Sequence, residues 1–141
     1  MYLRFISPFE GEWWSCRKGI DCGLFQGSRI AREQGLVPSY LKDALSDELG
    51  WFNKNLAAPK GRYFDHRKNN VGICWFKEDA AIFVQRCWRI VAVLKAADVD
   101  ISFVRTRNPG MILYSDRYQI IAKPEKSTPT KWGQTKKQFR R

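Results

Sequence analysis

The chain is 141 residues long, carries 25 Lys and Arg against 14 Asp and Glu for a formal charge of +11, and is 44% hydrophobic with six Trp, five Tyr and nine Phe. That apolar content excludes a disordered chain and suits one domain with its own core. A membrane-spanning helix is excluded too: the most apolar stretch, residues 90–94, is bounded by Arg89 and Lys95, far short of the roughly 20 residues such a helix needs.

Residues 2–7 read as a strand, and residues 12–17 as a second, because Trp13 and Trp14 suit a pleated surface. The start lacks the sustained apolar run of an export signal, and Glu10 and Glu12 follow at once. Cys16, Cys22, Cys74 and Cys87 include no CxxC pair, so reduced thiols and a cytoplasmic location are expected. Gly19, Gly23 and Gly27 loosen the next stretch. A helix is predicted over residues 24–34, with Leu24, Ile30 and Ala31 inward and Gly35 as its stop. A second begins near Pro38, where Leu41, Leu45, Leu49, Phe52 and Leu56 step by four, four, three and four into an amphipathic stripe. Pro59 and Gly61 end it.

Residues 60–70 form a polar, basic connector, and residues 71–76 read as a buried strand. A third helix is predicted over residues 78–97, with Glu78 and Asp79 at its positive end. Its apolar residues, among them Phe83, Cys87, Trp88, Ile90 and Leu94, cover most of its circumference, which predicts a place at the centre of the core. Residues 101–106, 111–114 and 118–122 read as an antiparallel meander, with turns at Asn108-Pro109-Gly110 and Ser115-Asp116. Beyond Pro124 the periodicity ends. The expected architecture is α+β: a small, mostly antiparallel sheet made of the N-terminal strand and the three-stranded meander, packed against about three helices. Residues 1–124 form the domain and residues 125–141 a flexible basic tail.

The charge is uneven. Residues 123–141 hold seven cations and one acid, a surplus of six, while residues 1–122 hold eighteen cations and thirteen acids, a surplus of five. A basic body ending in a basic tail points to a polyanionic partner. In the tail, Lys131, Lys136, Lys137, Arg140 and Arg141 are interspersed with Trp132 and Phe139. The cations would neutralise phosphates; the rings either stack on unpaired bases or fold back onto the body. The connector gathers Lys60, Arg62, Arg67 and Lys68 with Tyr63, Phe64 and His66, a composition for backbone contact with Tyr63 as a stacking platform and Phe64 as a core plug. Arg105, Arg107 and Arg117 bracket the predicted turns and offer guanidinium groups at one end of the sheet. Arg105 and Arg107 nevertheless share strand parity with Ile101 and Phe103, which are expected to face inward.

No catalytic motif stands out. His66 is the only side chain that titrates unaided near neutrality; a metal-independent nuclease would use it as base, with Arg62 or Arg67 on the phosphate. Asp98, Asp100 and Asp116 could hold magnesium, but all sit at junctions or turns where acids are common. Cys16, Cys22, Cys74 and His66 have zinc-ligand chemistry without the spacing of a zinc module. Gly19, Gly23 and Gly27 do not make a phosphate loop. The reading is a nucleic-acid-binding protein that contacts the phosphate backbone of DNA or RNA without strong sequence preference, needing no cofactor and no membrane. Its alternative is an interaction or inhibitor module docking on an acidic protein, with a His66-centred nuclease third.

Overall fold

The computed structural model describes residues 1–10, 20–59 and 72–133. The strand expected over residues 12–17 lies outside them. Six strands and three helices follow in the order β1 (Tyr2–Glu10), β2 (Asp21–Gly23), α1 (Leu24–Glu33), α2 (Ser39–Asn55), β3 (Ile73–Lys77), α3 (Ala81–Ala96), β4 (Ser102–Thr106), β5 (Met111–Ser115) and β6 (Gln119–Lys123). All the pairings are antiparallel, and the fold is α+β.

β1 organises the sheet. Along one edge its residues 2–6 pair with β4. The other edge is divided: Tyr2 and Leu3 pair with Lys77 and Phe76 of β3, while Ile6 and Glu10 pair with Gly23 and Asp21 of β2. Ile6 bonds to both β4 and β2, and Leu3 to both β4 and β3, so β2 and β3 must lie end to end on the same side. β3 then pairs with β6, and β6 with β5. The predicted meander is thus only half formed. β5 and β6 make the expected hairpin, but β4 leaves it and pairs with β1. Turn chemistry at Asn108-Pro109-Gly110 specifies a bend, not the partner of the strand that precedes it.

This connectivity forces the sheet to coil. In a flat sheet, β4 and β5 would be opposite edges, about four strand spacings apart and offset by some five residues, which separates Thr106 from Met111 by roughly 25 Å. Five residues reach at most about 18 Å. The edges therefore curl towards each other around a core of Ile6, Ile73, Trp75, Val104, Ile120 and Ala122. Gly110, at φ +101°, makes the tight approach to the Lys123 carbonyl that ends the connection.

The other face carries the helices. Leu3, Phe5 and Phe76 meet Phe52, Phe83 and Leu94 there. Gly27 lets α1 sit directly on β1, since a methyl group at that position would overlap Ser7. α1 ends in a Schellman motif, with Gly35 N–H donating to the Arg32 carbonyl (3.1 Å), Leu36 N–H to the Ala31 carbonyl (2.9 Å), and Gly35 at φ +71° as expected. α3 ends the same way with Asp98 at φ +60° in the glycine position.

Two expectations change. α3 starts at Ala81, because Glu78 and Asp79 belong to the turn before it. It buries a single stripe, Phe83, Cys87, Ile90 and Leu94, and leaves Ile82 and Trp88 52% and 44% exposed. It therefore roofs the core instead of threading it. Residues 125–133, expected in the flexible tail, are fastened across the coiled sheet. Asp21 N–H donates to the Thr130 carbonyl (3.1 Å), Trp132 N–H to Asp21 Oδ2 (2.7 Å), and Gly133 N–H to Ser102 Oγ (2.9 Å). Thr128 and Pro129 are buried. The segment lacks periodicity because it is an irregular strap, satisfied by side chains and loop carbonyls instead of by a ladder.

Candidate functional site

Below Leu3, β1 and β3 cease to pair and diverge. The gap continues into a cleft of about 760 Å³ walled by α1 and α2. The two helices both pack on α3 and touch each other through Phe25 and Phe52, ring centroids 4.8 Å apart. On the α1 wall Phe25, Arg29 and Arg32 stand at i, i+4 and i+7, one stripe of a helix. The facing stripe of α2 is Leu49, Gly50, Asn53 and Leu56. Leu3 and Phe76 form the floor, and Trp75, whose side chain packs in the second core, borders it.

The polar chemistry of this cleft is one-sided. Among the described residues that line it, Arg4, Arg29 and Arg32 are cationic and none is Asp or Glu. Arg4 is buried and donates from Nη2 to the Asp21 carbonyl (2.9 Å); Arg29 and Arg32 are exposed at the mouth. Low-dielectric walls of one charge sign concentrate the field at the opening. Trp75, only 1% exposed, has an indole N–H with no hydrogen-bond acceptor among the described residues. Gly50 faces open space, with no described atom within 4 Å of where a Cβ would stand. Cys74 presents an exposed, reduced thiol to the cleft.

The residues expected to bind nucleic acid are distributed differently from the sequence reading. Lys60, Arg62, Tyr63, His66, Arg67 and Lys68, with Lys136, Lys137, Arg140 and Arg141, lie outside the described residues. Trp132 takes the fold-back alternative: it packs against the second core and donates its indole N–H to the Asp100 carbonyl (2.9 Å). Lys131 beside it is exposed. Arg105 keeps the face of Phe103, as parity requires, but extends past the start of α3 and pairs with Glu78 at 2.9 Å. That carboxylate also takes the N-terminal ammonium at 3.2 Å, and the ammonium, followed by Arg105, lowers the Glu78 pKa. Arg117 lies over the Tyr118 ring at 5.3 Å, and Arg107 is exposed. The register aligns Thr106, Tyr2 and Lys77 in one row, with Tyr118 bonded to Lys77. Arg107 and Arg117 thus share one end of the sheet with Arg105, but in company with Glu78, Asp79 and Asp116. This rim is mixed in sign.

Most of the charge surplus lies outside the described residues. Segments 11–19, 60–71 and 134–141 carry formal charges of +1, +3 and +4, eight of the chain's eleven. The 112 described residues hold 15 cations and 12 carboxylates, a surplus of three. Of the five described residues that flank these segments, Glu10, Ile20, Gly72 and Gly133 lie towards the far end of β1, whereas Pro59 follows Ala57, whose carbonyl is held by Gln119 beside Asp116. Glu10 pairs with Asp21, next to Ile20. Trp132, next to Gly133, is bonded to Asp21, and Ile20, Ile73 and Trp132 share one core cluster. Ile20, Pro59 and Gly72 also line the cleft.

Among the described residues no group of three or more His, Cys, Asp or Glu side chains is placed to hold a metal ion, and no helix is long and apolar enough to cross a membrane. Asp98 serves as a helix terminator, and Asp116 fixes a turn. Burial pushes the Cys87 thiol far up, so it stays protonated. The sequence reading missed Arg29, Arg32 and Gly50. Arg29 and Arg32 look like any solvated helix face. Gly50 did leave a signal, a glycine inside an otherwise regular helical stripe, which costs helix stability unless the space has a use. Comparison with protein-family models, with curated proteins and with solved structures finds no match to this chain.

Proposed function

We propose that this protein binds nucleic acid through the phosphate backbone, with little dependence on sequence. One observation supports this above the others: eight of eleven formal charges fall on three segments, four of whose five described flanking residues lie towards one end of the sheet, beside a cleft whose described lining holds three arginines and no carboxylate. Cations gathered at one end give a polyanion a continuous footprint, where scattered cations would be neutralised locally. Backbone contact explains why no base-reading motif is needed, because phosphate contacts position a strand without reading it.

Salt-titrated binding tests the reading. The full chain is titrated with single- and double-stranded DNA and RNA over a range of salt concentrations. With about five phosphates engaged, log affinity falls against log salt with a slope of about −3.5 on single strands and −4.5 on duplex. A slope near zero, or no binding at low salt, removes the proposal.

A further inference from the structure

We infer that the α1–α2 cleft seats an unpaired nucleotide, with its base on the apolar lining and its phosphate on Arg29 and Arg32, so that the protein selects single strands over duplex. This rests on the nucleic-acid reading above and adds strand selectivity to it.

Four features of the cleft converge on that occupant. Its volume, about 760 Å³, lies within the roughly 300–1,000 Å³ of small-molecule sites. Its apolar lining includes the half-buried ring of Phe25, and every base has a face that stacks on an aromatic ring. Its mouth carries Arg29 and Arg32, one helical turn apart, with no carboxylate among the described lining residues to neutralise them. An anion with a flat apolar body matches both zones. An acidic peptide would match the mouth alone and an uncharged apolar ligand the apolar lining alone.

Gly50 supplies the fourth feature. A glycine inside a helix costs roughly 0.5–1 kcal/mol relative to alanine. Nothing described crowds the Gly50 position, so packing within the described residues does not require it. The missing side chain widens the cleft at mid-wall. A duplex cannot enter: its bases are stacked and paired, and only its backbone could reach the mouth.

The test compares a labelled oligothymidylate of roughly 12 nucleotides, a length within reach of one binding groove, with the same strand annealed to its complement. The parent chain is expected to bind the single strand at least ten-fold more tightly. Gly50→Leu fills the cleft with a good helix former. It should keep or raise the urea midpoint, weaken single-strand binding by about ten- to a hundred-fold, the worth of one stacked base, and leave duplex binding unchanged. Arg29→Gln with Arg32→Gln, both exposed, should leave the fold intact and reduce the single-strand salt slope by about 0.7, the share of one phosphate. Equal affinity for both forms overturns the inference and leaves the phosphate reading standing. So does a folded Gly50→Leu protein with unchanged single-strand binding. A lower urea midpoint for Gly50→Leu means that the chain itself fills the cleft, and also overturns it. If Gly50→Leu does not fold, an unchanged salt slope in the arginine variant decides against it. Absence of binding to any nucleic acid overturns both proposals.

Discussion

Asp116 closes the β5–β6 hairpin almost alone. Its Oδ1 accepts from the Tyr118 and Gln119 N–H groups (2.9 Å each), and its Oδ2 from the Tyr114 hydroxyl (2.8 Å) and Gln119 Nε2 (3.2 Å). Desolvation pushes its pKa up, but those hydrogen bonds together outweigh it and hold the carboxyl below its ordinary value. A depressed folded pKa stabilises the fold above the unfolded value, near 3.9, and that contribution is lost as pH falls through the folded value. Urea midpoints measured between about pH 6 and pH 2.5 should therefore fall at the acid end. Asp116→Ala should lose about 1–2 kcal/mol at neutral pH, the scale of its broken hydrogen bonds, and show a shallower acid limb. An acid limb unchanged by the substitution would assign it to other carboxylates. Gln119 carries the same network further, reaching the Ala57 carbonyl at 2.7 Å and so tying the hairpin to the end of α2.

At the scale of elements, the strap and the helices divide the two faces of the sheet between them. α2 and α3 are joined on the outside by Arg86, which stacks on Trp51 at 4.4 Å and lies 3.6 Å from Glu48, and inside by the aromatic set of Phe52, Phe83 and Tyr118. The strap is held at several points, by the Thr130 carbonyl, by Gly133 and by Trp132. Trp132 is its anchor, packed on the second core and bonded through both backbone and indole. Trp132→Ala should lower stability by roughly 1–3 kcal/mol, through lost packing and one lost indole hydrogen bond, and chemical denaturation measures it directly. A detachable tail would predict no change. Shortening the chain at Pro124 should cost more than Trp132→Ala, since it also uncovers Asp21 and Ser102. This makes that truncation a poor way to test nucleic-acid binding: it removes charge and weakens the fold together.

At the scale of the whole molecule, one end of the sheet is mixed in sign. The end bearing Arg105, Arg107 and Arg117 also bears Glu78, Asp79 and Asp116, and Arg105 already holds a carboxylate. Eight of the eleven formal charges fall on segments 11–19, 60–71 and 134–141, outside the described residues. Replacing Lys60, Arg62, Arg67 and Lys68 with Gln should flatten the single-strand salt slope by about 2–3, at roughly 0.7 per phosphate contact. Replacing Arg105 and Arg117 with Gln should change it by less than about 1, because exposed, partly paired guanidinium groups release fewer counterions. The reverse ranking in a salt titration would place the footprint on the rim.

Local chemistry was legible in the chain. The period of Leu41, Leu45, Leu49, Phe52 and Leu56 gave α2, Gly35 gave the end of α1, and alternation with turn residues gave β4, β5 and β6 within a residue or two, because periodicity and turn propensity are properties of neighbours. The three-residue β2 had no such signal: Asp21–Gly23 is a strand only because β1 offers it an edge. Which strands pair, which face of α3 is covered, whether the strap lies down and whether a cleft opens between β1 and β3 depend on contacts between residues far apart in the chain. Composition fixed the size of the charge surplus. That the rim is mixed in sign became visible only when the fold brought Arg105, Arg107 and Arg117 to one end with Glu78 and Asp116, since an electric field sums over space and not over sequence.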